Sequence, residues 1–287
     1  MRTLVCTISK IAAAATVITT AACGADGSAR ESRTEVPAQR TGIANGPGAA
    51  RDGAGSGTLA RAAGGADGQQ YSTRVLATGT VTGKVSSGRG APGDTSVTPT
   101  HDRIACRPFT EPTFVSSGAA NGVGNAVVWL EGVAAGRAND LPRRTTLTMR
   151  GCRLEPRVQR IAAGGTLIVN SQDAVMARFR FSDTGTSDSV RAFVSTNGAG
   201  QVVPVSGATK SAGLVAISDD HHPWVRGYLA VAPHPFVVIS EADGRFAMDG
   251  VPVGTYELLV WHERFGTTRQ KVTVGEGREA SVEIVLR

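Results

Sequence analysis

From about residue 75 onward, short apolar runs alternate with polar turns along the chain. The runs are rich in β-branched residues and are separated by Gly, Pro, Asp and Asn, which is the pattern of strands joined by turns. No window carries the periodicity and caps of a helix. The pattern therefore predicts an all-β fold made of sandwiches or barrels. The predicted strands are 77–85, 126–131, 145–149, 166–170, 190–195, 213–218, 225–231, 236–240, 245–248, 255–262, 270–274 and 280–286.

The C-terminal part of the chain contains the clearest hairpin. Residues 241–244 read Glu-Ala-Asp-Gly and form a turn signal between two predicted strands. Phe246 follows, and then residues 251–256 read Val-Pro-Val-Gly-Thr-Tyr. This order resembles the carboxypeptidase regulatory-like domain, a small transthyretin-like β-sandwich.

Two segments far upstream resemble earlier strands of the same domain. Residues 79–85 resemble its opening strand, and residues 125–131, Asn-Ala-Val-Val-Trp-Leu-Glu, resemble its next core strand. The resemblance implies a sandwich in two parts, 75–139 and 234–287.

The stretch between those parts, 140–233, resembles a cupredoxin. Residues 151–158 and 164–171 are similar to the early strands of that fold, and residues 218–225 are similar to its ligand loop. The combination resembles bacterial exported plastocyanin-like, or methylamine-utilisation-like, proteins. It implies a Greek-key cupredoxin-like sandwich inserted in or fused to the regulatory-like sandwich.

The ligand positions of this loop depart from a copper protein. A blue-copper site uses two His, one Cys thiolate and a weak axial Met. Asp219 stands at the position of the Cys, Val225 at that of the Met, and Met176 at that of the first His. His222 alone matches, so the sequence predicts a degenerate domain without blue copper.

Two interpretations of this loop stay open. A remodelled site could use His222, Asp219, Met176 and His221 to bind copper or zinc, because imidazole, carboxylate and thioether are ligands of these metals. Alternatively, the loop is an acidic, solvated segment and the protein has no cofactor.

The N-terminus has the features of an export signal. Arg2 and Lys10 precede an uncharged stretch of small and apolar residues, and Cys23 follows two alanines. This ending resembles a bacterial lipobox, which predicts a signal peptide over 1–22 and lipid attachment at Cys23. The alternative is ordinary cleavage that releases a soluble protein.

Residues 23–74 are predicted to be a disordered tether. Between residues 24 and 70 there are 11 glycines, 11 alanines and no aromatic residue. Such a composition cannot bury enough apolar surface to offset the entropy of ordering the chain.

The remaining cysteines and the charge complete the sequence-based prediction. Cys106 and Cys152 are an even pair in an exported chain, so we expect a disulfide between them.

The net charge is +6 but the basic residues are dispersed, which argues against a nucleic-acid partner.

The chain contains no hydrolase, zincin, Walker or dinucleotide motif. We therefore expect a non-catalytic, lipid-anchored protein of the cell envelope that faces the periplasm or the exterior. Its partners would be the membrane, through the anchor, and an envelope protein or a glycan. The alternatives are a metal-binding or electron-transfer protein and a carbohydrate-binding module.

Overall fold

The computed structural model describes residues 70–88, 94–111, 121–185 and 189–287. Within these ranges the regular structure is almost entirely strand, with one short 3-10 turn at Gly207–Thr209. The all-β prediction is confirmed. No helix in the described ranges has the length and apolar character needed to span a bilayer.

The strands in chain order are β1 Ser72–Thr73, β2 Thr78–Ser87, β3 Thr95–Val97, β4 Phe109–Glu111, β5 Val127–Glu131, β6 Ala135–Gly136, β7 Arg144–Arg150, β8 Arg153–Glu155, β9 Val158–Ala162, β10 Thr166–Ser171, β11 Ala177–Asp183, β12 Val190–Thr196, β13 Gln201–Val205, β14 Gly213–Asp219, β15 Arg226–Ala232, β16 Val237–Ile239, β17 Arg245–Pro252, β18 Gly254–His262, β19 Gly266–Val274 and β20 Glu279–Leu286.

The first sandwich combines strands from both ends of the described chain, and we call it the terminal sandwich. Its sheets have the orders β16-β5-β18-β19 and β17-β2-β20. Alternate residues of these strands, such as Val81, Leu130, Leu258 and Ile284, point inward and form one apolar core. The first long strand, β2, lies beside the last, β20, in a parallel pair.

The second sandwich consists of β7–β15 and lies in the chain between β5 and β16; we call it the inserted sandwich. Its sheets have the orders β13-β10-β7-β8 and β12-β11-β14-β15-β9. Leu147, Leu167, Phe179, Phe181 and Ile217 are fully or almost fully buried between these sheets. The inserted strands thus have a core of their own.

The two sandwiches share a third apolar layer. Trp129 and Trp261 of the terminal sandwich, on β5 and β18, pack in the same cluster as Leu214, Ala230 and Ala232 of the inserted sandwich. This layer explains why β5 and β18 are buried on both faces rather than alternating, since each face has a partner.

A salt bridge reinforces this junction. Arg157, which precedes β9, binds the Glu263 carboxylate through Nε and Nη2 at 2.8 and 2.7 Å. Its Nη1 donates to Glu111 of β4. Because all three side chains are largely buried, the pairing has little competition from water.

The predicted tether, 23–74, is too long at its C-terminal end. Residues Ser72–Thr73 form β1, which pairs in parallel with β6. Tyr71 packs against the core of the terminal sandwich, and its hydroxyl donates to the Arg137 carbonyl. The strand pairing and the packing of Tyr71 together hold this end. The signal peptide 1–22, Cys23 and the tether up to residue 69 lie outside the described residues.

Candidate functional site

The loop that follows β14 contains two buried polar side chains, Asp219 and His222. Asp219 is the last residue of β14. Its side chain faces inward like those of Val215 and Ile217, and the residue is only 3% exposed. Its Oδ1 accepts backbone hydrogen bonds from Arg178 at 2.8 Å and His221 at 3.1 Å. The carboxylate is therefore held by the backbone on either side.

His222 lies in the same loop and is fully buried. Its Nδ1 is 2.5 Å from Asp219 Oδ2, and its Nε2 is 3.0 Å from Asp102 Oδ2. Trp224 packs edge-on against the imidazole at a centroid distance of 5.3 Å. Both ring nitrogens thus have a carboxylate partner.

The two carboxylates set the protonation of the cluster. The hydrogen bond to Asp219 raises the pKa of His222 above its ordinary value of 6.5, against the opposing effect of burial and with further help from Asp102. Burial alone would raise the pKa of Asp219, but hydrogen bonds from His222 and two backbone amides outweigh it and lower that pKa. The imidazole of His222 thus lies between two carboxyl groups, Asp219 and Asp102, whose contacts favour its protonated form.

Asp102 reaches His222 from a distant part of the sequence. It belongs to a connecting segment, residues 94–111, that leaves the terminal sandwich after β2 and crosses to the inserted one. Cys106 in this segment forms a disulfide with Cys152, with a Cα–Cα distance of 5.3 Å. The predicted disulfide is confirmed.

The turn that precedes Cys106 presents Asp102. The Asp102 backbone has a positive φ of 49°, and its carbonyl accepts hydrogen bonds from the amides of Ala105 and Cys106. Aspartate tolerates this left-handed conformation better than most residues. The disulfide and this turn together place the carboxylate at His222 Nε2.

The four predicted metal ligands are only partly brought together. Asp219 and His222 are in contact, whereas the His221 side chain is exposed and only its backbone amide joins the cluster. Met176 is 58% exposed. Within the described ranges, no group of three or more His, Cys, Asp and Glu side chains is arranged to hold a metal ion.

Sequence reasoning missed Asp102. It lies in a stretch with no strand pattern and far from the ligand loop in sequence. The available signal was the predicted disulfide, since Asp102 is four positions before Cys106 and the disulfide fixes that segment on the inserted sandwich.

Two further histidines are buried, and neither ring bonds a charged side chain among the residues that the structure describes. His234 follows β15 among the rings of Tyr71, Trp129 and Phe236, and His262 ends β18 beside Phe265. Each Nδ1 accepts a backbone amide hydrogen bond at 3.3 Å. Burial lowers the pKa of both His234 and His262 to about 4, so both rings are neutral at neutral pH.

One family model matches the C-terminal part of the chain. Residues 228–287 match the model of the carboxypeptidase regulatory-like domain. No curated protein sequence matches the chain.

Several solved cupredoxin structures are similar to part of the chain. Amicyanin from Paracoccus versutus is 18% identical, with a TM-score of 0.26, over 32% of this chain and 85% of its own. A purple cupredoxin from Nitrosopumilus maritimus is 15% identical, with a TM-score of 0.26, over 31% and 99%. A copper-containing nitrite reductase from Thermus scotoductus is 19% identical, with a TM-score of 0.25, over 33% and 23%.

Proposed function

We propose that this protein is a non-catalytic, lipid-anchored protein of the cell envelope whose inserted sandwich is a scaffold and not a metal carrier. The observation that carries the proposal is the Asp219–His222–Asp102 cluster, which occupies the loop where a cupredoxin-like domain would hold its metal. The export signal and the lipid attachment at Cys23 are predictions from the sequence.

The donor set at this loop does not fit a blue-copper centre. Such a centre needs a thiolate, and the two cysteines of the described ranges are joined in a disulfide. Asp219 supplies a carboxylate at the thiolate position, and both of its oxygens already accept hydrogen bonds. A metal would also have to displace a proton from His222, whose pKa is raised by those same contacts.

The cluster instead has a clear structural role. His222 connects the end of β14 to the connecting segment, since it bonds Asp219 on one side and Asp102 on the other. Together with the disulfide it fixes the connecting segment on the inserted sandwich, and the salt bridge from Arg157 to Glu263 joins that sandwich to the terminal one. Two sandwiches in contact, carried on a lipid-anchored tether, suit a protein that presents a binding surface to an envelope protein or a glycan.

Metal analysis of the purified native protein tests the scaffold proposal. We expect substoichiometric copper and zinc, and no blue colour after addition of cupric ions. Titration of wild type, His222→Gln and His221→Gln with each metal provides the matched comparison, because only His222 belongs to the cluster. Stoichiometric binding that His222→Gln abolishes and His221→Gln preserves would overturn the proposal in favour of a copper or zinc site.

Mass spectrometry of the mature N-terminus tests the anchor separately. A diacylated Cys23 is expected, since more than one acyl chain is needed for stable membrane attachment. An unmodified Cys23, or a mature chain without it, would refute lipid anchoring and leave the scaffold proposal intact.

A further inference from the structure

The outer face of the β12-β11-β14-β15-β9 sheet is only half covered. At one end, Leu214, Ala230 and Ala232 pack against the terminal sandwich. The other end of the same face has no covering element among the described residues, and Arg178, Arg180 and Phe193 there are roughly half exposed.

Strand register defines the side chains of this open end. Phe193, Arg180, Ser218 and Arg226 are paired across four neighbouring strands. Directly paired residues point to the same side of a sheet, so these four form one row. The next row along the strands contains Ser182, Ala216 and Tyr228.

The arginines give this face an excess of positive charge. Arg178 and Arg180 share a single carboxylate, Asp220, at 3.7 and 3.0 Å. Both guanidinium groups also lie against the Phe193 ring, at 4.7 and 5.3 Å from its centroid. Arg226 makes no salt bridge within the described ranges. Three guanidinium groups of this row thus face the Asp220 carboxylate, and the nearby Asp183 is already paired with Arg191, which leaves a net attraction for anions.

A hollow of about 420 Å³ adjoins these arginines. Small residues form its floor and two aromatic rings form its wall, Tyr228 and Trp261, packed edge to face at 4.7 Å. Thr184 is one of the lining residues, and its buried hydroxyl has no hydrogen-bond partner among the described residues. The volume is within the roughly 300–1,000 Å³ range of small-ligand sites. The lining residues include Ser182, Asp183, Thr184, Ala216, Tyr228 and Trp261.

We propose that this face binds an acidic polysaccharide. A sugar ring would occupy the hollow beside Tyr228 and Trp261. Carboxylates of neighbouring sugars would bind Arg180 and Arg226, because the planar guanidinium matches a carboxylate with two parallel hydrogen bonds. This proposal rests on the proposed binding function and names its ligand class.

Three properties of the face favour a glycan over a protein partner. The floor is made of Ser and Ala, the aromatic rings form a wall, and the arginines outnumber the carboxylates. Sugar rings offer apolar C–H faces to aromatic side chains and hydroxyls to small polar ones. An anionic polymer also satisfies several arginines in succession along one row.

Binding of polygalacturonate to the purified protein, measured by isothermal titration calorimetry with neutral dextran as the control polymer, tests the proposal. Two variants disrupt the face: Arg180→Gln with Arg226→Gln removes the carboxylate partners, and Ala216→Leu fills the floor of the hollow. The charge-matched control is Arg245→Gln with Lys271→Gln, which removes two exposed cations from the terminal sandwich.

We expect polygalacturonate to bind wild type and dextran to bind far more weakly. Each face variant should weaken polygalacturonate by roughly tenfold, the loss expected for a charged hydrogen bond or a blocked subsite. The control variant should stay within about twofold of wild type, since its charges lie on another face.

Three results would overturn the proposal. The first is that wild type does not bind polygalacturonate. The second is that the control variant loses as much affinity for polygalacturonate as the face variants do. The third is that the protein binds vesicles of anionic phospholipid but not the polysaccharide. None of these results would bear on the proposal of a metal-free scaffold, because that proposal is tested by the metal content and by the His222 variant.

Discussion

Acid should destabilise this protein through His234, and the size of the effect follows from its burial. The ring is 4% exposed, and burial lowers its pKa from 6.5 to about 4. As pH falls below 6.5, the unfolded chain takes up a proton at this residue and the folded protein does not. Stability present above pH 6.5 is therefore lost progressively down to about pH 4.

The magnitude comes from the difference between the two pKa values. One pKa unit corresponds to about 1.4 kcal/mol, so His234 should account for about 3 kcal/mol of lost stability over this range. His222 does not offset the loss there. Its folded pKa is raised, so its contribution is already complete below pH 6.5 and declines only as pH rises through the folded value.

The variant His234→Asn removes the titrating group and keeps an acceptor for the Phe236 amide. Urea unfolding followed by tryptophan fluorescence at about pH 7 and about pH 4.5 gives the free energies of wild type and variant. The variant is expected to be less stable at neutral pH, because it loses aromatic packing, and to lose about 2–3 kcal/mol less on acidification. Groups that titrate equally in both proteins cancel in this comparison.

An equal acid loss in wild type and His234→Asn would refute the reasoning, since it would mean that the buried ring does not resist protonation. The variant His262→Asn is a second test of the same kind, because burial lowers the pKa of His262 to about 4 as well. If both substitutions act independently, their effects on the acid loss should add.

Three other perturbations test the connections between the sandwiches. Reducing the disulfide, which joins residues 46 positions apart, should lower the free energy of unfolding by about 4 kcal/mol in the chain-entropy model, and an unchanged urea midpoint would contradict this. The variant Asp102→Asn should lower the pKa of His222 in an NMR titration. The variant should therefore be less stable than wild type, most clearly below pH 6.5, and this difference should shrink as pH rises. An unchanged pKa of His222 would disprove the contact with Asp102. The variant Arg157→Met should cost about 3 kcal/mol or more because it leaves two buried carboxylates unpaired, whereas Arg245→Gln on the surface should cost less than about 1 kcal/mol; similar costs for both would argue against a buried salt bridge.

Strand alternation made the fold class predictable. In β20, Val282, Ile284 and Leu286 face one core, as their spacing by two predicts. The same period is present in β11, where Ala177, Phe179 and Phe181 are buried, yet no strand was predicted there. The outward side chains of β11 include Arg178 and Arg180. That they lie on an open face of the sheet becomes clear only from the strands that pair with β11.

The candidate site was only half predictable, because its second carboxylate comes from another part of the chain. Asp219 and His222 are three positions apart and belong to one loop, so local sequence was enough to pair them. Asp102 is 120 positions from His222, and no local pattern encodes that contact. Met176 was proposed from the cupredoxin resemblance. A resemblance does not specify which side chains are buried, and the Met176 side chain is 58% exposed to solvent.

The pairing of β2 with β20 determines the order in which the chain can become structured during synthesis. Thr82 hydrogen-bonds Glu279, 197 positions later, so β2 stays without this neighbour until nearly the whole chain has been made. Strands β7–β15 find their partners among themselves and can form their core earlier. The terminal sandwich can therefore close around an inserted domain that has already folded. A chain that stops short of β20 would have a complete inserted sandwich and an exposed β2 edge, the kind of surface that drives aggregation.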